Sequence, residues 1–408
     1  MLKRISAPIT TQMAALMAAL FLCGFRPFFL FAAASAVLAI GAWGGFLLGA
    51  WLLPEMAGGP LVWHAHEMVL GFALAAVVGF VVTAVPEFTG SAGVASARVK
   101  WMAVAWLAAR VGALAGGVAG TALAAVATLA LLMVLVTAVA PALWHGAERR
   151  HVSFLWGLLG LLLSTAGFYV EALGGGDPMR WLHAAIGILM VLIVIALSRI
   201  SMRIVNGALE LAGETGREYL ARPPRRNLAV FAITLYTALE FFLPLHPVAG
   251  WVALAAAAAL FNLLNDWFVG RVLFGRWVFM LQGVYWLMAA GYALIGWAIL
   301  GGGLPPGAGR HLLTIGALGL AVFVVMNIAG RVHAGLEPDP RPWVPIAAAM
   351  LVVAAVARVF IYLPGGGTAL FGAVLLWVLP FGLVVIRFWP LYSRPRADGR
   401  GGCEGIGD

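Results

Sequence analysis

The chain has 408 residues, of which 63% are hydrophobic and only 10% charged, with a mean hydropathy of +1.01. Soluble domains are about half apolar and a quarter charged, so this composition excludes an ordinary soluble fold and makes lipid the solvent for most of the surface. The formal charge of +9 is scattered over short loops and gathers into no basic stripe, which excludes a nucleic-acid-binding face.

The N-terminal "MLKRISAPITTQ" leads into a weakly apolar stretch without a small-residue cleavage site, so no removed signal peptide is expected. Residues 13–25 read as a short interfacial helix, and 1–27 as an N-terminal tail and interfacial segment. A membrane span needs roughly 20 apolar residues. About twelve such runs follow, near 28–53, 63–87, 101–117, 118–145, 152–172, 180–205, 227–243, 247–270, 277–300, 310–332, 342–363 and 367–391. The expected fold is therefore all-α, a polytopic transmembrane bundle over 28–391 with a cytoplasmic tail at 392–408. Gly112, Gly116 and Gly120 have the small-xxx-small spacing that lets the third and fourth spans pack closely.

Basic residues set the orientation. With the N-terminus inside, Lys3, Arg4, Arg149, Arg150, Arg199, Arg203, Arg222, Arg225, Arg226, Arg331 and Arg341 fall on the inner side. Arg180 and Arg310 alone remain outside. Both termini are then cytoplasmic. Cys23 and Cys403, the two cysteines of the chain, have no metal-ligand spacing and no evident pairing, which excludes an iron–sulfur cluster held by several cysteines of this chain.

This topology gathers histidines. His64 and His66 begin the second span, His183 lies near the start of the sixth, and His311 begins the tenth, all at one depth near the outer face. Neutral imidazoles from separate helices at one level are how a bundle holds a metal or haem. The plainer alternative is a set of hydrated helix-end residues. His64 and His66 point roughly 200° apart on a regular helix, so one of them faces elsewhere. Arg110 and Arg358 stand at a depth suited to carboxylates such as haem propionates, or to ion pairs with Glu67, Glu171 or Glu240. Glu240 is a candidate proton relay. Asn262, Asn265, Asp266, Gln282 and Tyr285 could begin an inner proton path or hydrogen-bond helices together.

Several stretches together resemble the NnrS family, membrane proteins associated with the response to nitric oxide. They are "GFRPFFLFAA" from Gly24, "WHAHEMVLGF" from Trp63, "TAVPEFTG" from Thr83, "LHAAIGILMVLIVIALSR" from Leu182 and "HLLTIGALGLAVFVVM" from His311. The resemblance implies a twelve-span bacterial inner-membrane protein that binds haem, b-type by expectation, with copper as a further candidate cofactor, and with His64, His66, His183, His311 and His333 as matching histidines. His333 stands apart at the inner face. Two family motifs differ: Ser198 to Arg203 replaces the usual Gly-Arg-Val-Ile-Pro, and "HAGLEP" from His333 replaces His-Thr-Gly-Arg. There is also a likeness of layout to haem–copper oxidases and nitric oxide reductases, without their paired histidines on later helices.

The expected activity is a haem-dependent action on nitric oxide, either relief of its damage or its reduction by an oxidoreductase of nitric oxide reductase type, with Glu240 and Glu67 as proton-handling residues and a quinol or separate donor as electron source. His66, His183 and His311 are the leading ligand candidates, followed by His64. Two alternatives stand beside it: a copper-handling or transport protein using the same histidines, and a six-coordinate haem sensor or electron relay.

Overall fold

A computed structural model describes residues 9–145, 151–214, 216–362 and 367–403. Lys3, Arg4, Arg149 and Arg150 of the charge pattern lie outside the described residues, as do parts of the expected terminal segments. Every regular element among the described residues is a helix. A short helix α1 (Ile9–Leu20) precedes α2 (Phe25–Leu47), α3 (Gly59–Thr89), α4 (Ser96–Ala115), α5 (Gly117–His145), α6 (Val152–Gly174), α7 (Met179–Leu211) and α8 (Pro223–Phe242). Then come α9 (Pro247–Trp267), α10 (Arg276–Ile299), α11 (Pro306–Val332), α12 (Trp343–Phe360) and α13 (Gly367–Tyr392).

Ten of these are long and apolar enough to cross a membrane, which makes the chain a multi-pass membrane protein. The two other long helices, α4 and α8, have 20 residues each. They fall short of the twelve expected apolar spans because of their charges: Arg98, Lys100 and Arg110 in α4, and Arg225, Arg226 and Glu240 in α8. Both pack lengthwise against spanning neighbours.

Chain neighbours pack side by side, and α13 closes the ring against α2. In α3, 83% of the apolar window is buried and in α11 72%, against 28% in α13, so α3 and α11 run through the centre while α13 faces lipid. The close packing expected of α4 and α5 is present. A Cβ on Gly112 would sit 2.6 Å from the Ala124 nitrogen and from the Gly120 oxygen, so the two backbones touch. Gly116 and Gly117 join these helices with φ of 68° and 63°, a left-handed turn that glycine takes without strain.

One expectation is overturned. Cys23 and Cys403 form a disulfide across 380 residues of sequence, with Cα atoms 5.2 Å apart. Sequence spacing carries no sign of such a pair, because the fold alone brings the start of α2 beside the tail. Further bonds hold the same junction. The buried Arg26 donates from Nη1 to the carbonyls of Ala19 at 2.9 Å and Arg394 at 2.8 Å. The Ala397 amide donates to Ala334 at 3.1 Å. The beginning of α2 and the tail therefore lie at one face of the bundle. This is the arginine face; the face bearing His64 and His311 is the histidine face.

Candidate functional site

The histidine face holds a cavity of about 350 Å³ between α2, α3, α7, α11, α12 and α13. His64 from α3, His183 from α7 and His311 from α11 all line it, together with Arg310 and Arg358. The sequence places these imidazoles at one depth, and the fold brings three of them to one chamber. Trp43, Phe72 and Trp377 supply broad apolar walls, and Met68 and Met179 add two thioethers.

Local structure sets each side chain. The His64 ring stacks on Trp43, centroids 4.6 Å apart and planes 18° apart, and its Nδ1 is buried without a hydrogen-bond partner. His311 Nδ1–H donates to the Gly307 carbonyl at 2.6 Å, one turn earlier. That bond fixes the tautomer and leaves the Nε2 lone pair free to bind a Lewis acid. His183 lies within electrostatic reach of Arg310 and Glu240. Arg310 is ion-paired with Glu240, so the Glu240 carboxylate stands directly behind the chamber wall. Arg358 lies near both His64 and His311, and its Nη1 is buried without a partner.

His66, Glu67 and Arg110 lie elsewhere. His66 is wholly buried, with Nδ1 2.9 Å from Glu67 Oε1 and Nε2 2.8 Å from the Tyr169 hydroxyl. With neutral imidazole, Nδ1–H donates to Glu67, the Tyr169 hydroxyl donates to Nε2, and Thr128 donates to Tyr169 at 3.1 Å. Both ring nitrogens are engaged, which leaves no lone pair for a metal in this arrangement. Arg110 donates from Nη1 to Glu67 Oε1 at 2.5 Å instead of reaching the chamber. The cause is the angular separation of His64 and His66 along α3.

His333 begins the tail side of α11, 22 residues beyond His311, or about 33 Å along a helix. Its Nδ1–H donates to the Cys403 carbonyl at 2.6 Å, and its Nε2 lies 3.5 Å from Glu87 Oε2 at the arginine face. It cannot join His64, His183 and His311. His246, in the loop before α9, accepts from the Val248 amide at 3.2 Å as a helix cap.

Two features escape a reading of the sequence. The chamber's Arg310 counts there as a loop charge, although its place beside His311 was a usable signal. The second is a backbone irregularity. Glu67–Ala73 and Leu312–Leu318 are both π-helical, each begins at the residue after a histidine, and each carries glycine at its fifth position, Gly71 and Gly316. Wide turns of this kind are frequent at functional sites. The Gly71 carbonyl accepts from Trp106 Nε1 at 3.1 Å. The shared spacing His-x-x-x-x-Gly is the trace of this device in the sequence.

No three His, Cys, Asp or Glu side chains among the described residues converge as a ready-made site for one metal ion. The three imidazoles share a chamber without forming such a group. The fold and this chamber define a polytopic α-helical membrane protein with a histidine-lined pocket at one end of the bundle. The sequence profile described as NnrS protein matches residues 19–396, and the chain belongs to the NnrS family. No curated protein matches the chain.

Proposed function

We propose that the chamber is a haem site and that the protein acts on nitric oxide in the bacterial inner membrane, with both termini cytoplasmic. The observation that carries this reading is the placement of His64, His183 and His311, from three helices, around one chamber that also holds two arginines. The spread of the imidazoles suits a broad macrocycle better than a single bare ion. The buried, unpartnered His64 Nδ1 and Arg358 Nη1 are groups that a bound anionic ligand would satisfy. His311, with its Nε2 lone pair free, would be the iron ligand, and His64 and His183 would line the space left for the gas. Arg310 and Arg358 would hold carboxylates, and Trp43 and Trp377 would flank a flat ring.

When bound, a haem supplies a position for the gas and a store for electrons. The chain's own residues do the rest. Gly307 holds His311 in the tautomer that leaves Nε2 basic. Arg310 keeps the Glu240 carboxylate beside the chamber, where it would relay protons, with the buried hydroxyls of Tyr236 and Tyr292 in the same electrostatic neighbourhood. Reduction of two nitric oxides to nitrous oxide and water takes two electrons and two protons, and a quinol is the proposed electron source. Met68 and Met179 favour a second reading, in which the chamber takes Cu(I) through thioether and imidazole.

A pyridine haemochrome spectrum and metal analysis of the purified protein test both readings. The haem reading expects a b-type band that is lost in a His64→Ala, His311→Ala double variant and shifted by nitric oxide. A protein purified with copper and no haem band would replace it with the second reading.

A further inference from the structure

Beneath the histidine chamber, between α3, α7 and α11, lies a second cavity of about 80 Å³. Every side chain that lines it is apolar. It shares Leu318 with the histidine chamber above, and Phe29, Phe80 and Val325 with a cavity of about 420 Å³ at the arginine face below. Val77, Ile193, Val322 and Val325, which line it, are only half-buried, so the cavity is partly open at its side.

Its volume is several times the ~10–15 Å³ of probe space that one water-sized molecule needs. Water gains nothing there, because a buried water takes about three hydrogen bonds and these walls offer no partner. Apolar cavities of this kind stay dry and take up xenon. A charged or strongly polar substrate is excluded by desolvation.

We propose that this dry cavity is a holding site for a small non-polar gas molecule, from which the gas enters the histidine chamber past Leu318. The statement about passage rests on the haem reading of that chamber; the statement about gas binding does not. Ala76 from α3 and Ala321 from α11 line the cavity with small side chains.

Two measurements on the full chain test it. Crystals pressurised with xenon are expected to show a xenon atom between Ala76 and Ala321 in the wild-type protein and none in an Ala76→Leu variant, whose longer side chain fills the space. Flash photolysis of the nitric oxide adduct is expected to show association and dissociation slowed together, at least fivefold, in Ala76→Leu. The affinity should stay unchanged, as befits a route and not a ligand. A Val322→Ala variant, which widens the space, is expected to retain xenon and to speed association, and it decides the matter if Ala76→Leu fails to fold. An acyl chain or water in the cavity, or an absence of xenon, overturns the holding site. Xenon lost without any change in nitric oxide kinetics overturns the passage. Xenon bound to a protein without a haem band leaves the holding site standing and counts against the haem reading alone.

Discussion

His64 and His66 are separated by one residue and face different surroundings: the first stacks on Trp43 at the chamber wall, while the second is locked behind it between Glu67 and Tyr169. Removing each ring therefore has a different effect. His66→Ala leaves Glu67 and Tyr169 each short of a partner and is expected to destabilise the fold by about 1–3 kcal/mol. His64→Ala is expected to lower haem content with little change in stability. Thermal melts in detergent and haem-to-protein ratios separate the two. Loss of haem in His66→Ala at unchanged melting temperature would count against this division.

Arg110 and Glu67 form a buried pair among lipid-spanning helices. Removing one partner, as in Arg110→Leu, strands a carboxylate and is expected to cost about 3–5 kcal/mol. Adding Glu67→Leu to that variant is expected to recover part of the loss, because the two residues act as a unit. Gly71 belongs to the same cluster. A Cβ there would stand 2.9 Å from both Arg110 Nη1 and Ser35 Oγ, so Gly71→Ala is expected to cost about 1–3 kcal/mol by overpacking. Chemical denaturation in mixed micelles measures all three, and additive single effects would show that the pair is not coupled.

The Cys23–Cys403 bond predicts a cross-linked peptide in a non-reducing digest that separates on reduction. The tail is also held by Arg26 and by the Ala397–Ala334 hydrogen bond, so Cys403→Ser is expected to leave the bundle folded and to free only the last residues. Proteolysis of the tail under native conditions reads this out. Cleavage reaching Tyr392 would mean that the disulfide alone secures it.

Asp339 sits in the loop between α11 and α12, where Arg341 holds its carboxyl well below the usual range, against the opposing pull of burial and with help from Trp343. A depressed folded pKa means that the contribution is complete above the unfolded value of about 3.9 and is lost as pH falls through the folded value. The loop is thus expected to keep its protection from proteolysis near neutrality and to lose it in strong acid, below about pH 4. Asp339→Asn is expected to be weakened already at neutral pH and to show much less dependence on acid. Equal acid sensitivity of both proteins at this loop would point to another group.

The helices and the histidine layer were legible because both rest on local signals, a run of apolar residues and the place of a residue along it. His64, His183 and His311 share a depth because each begins a span that starts on the same side. What a single line of residues does not carry is rotation about each helix. That is why the sequence ranks His66 ahead of His64, and why it leaves Arg110 open between the chamber and the ion pair with Glu67 that it makes. The π turns after His66 and His311 leave the hydrophobic pattern intact, since adding one residue to a turn in an all-apolar helix changes no apolar position to polar. The disulfide depends on two chain ends meeting, which no local signal reports.

The collar of Leu, Val, Ala and Phe side chains that parts the histidine chamber from the arginine-lined vestibule is an electrical insulator. Neutral molecules can dissolve through it, whereas a hydrated ion would have to shed its water with nothing in return. A bundle divided in this way would pass neutral molecules without draining the voltage across its membrane.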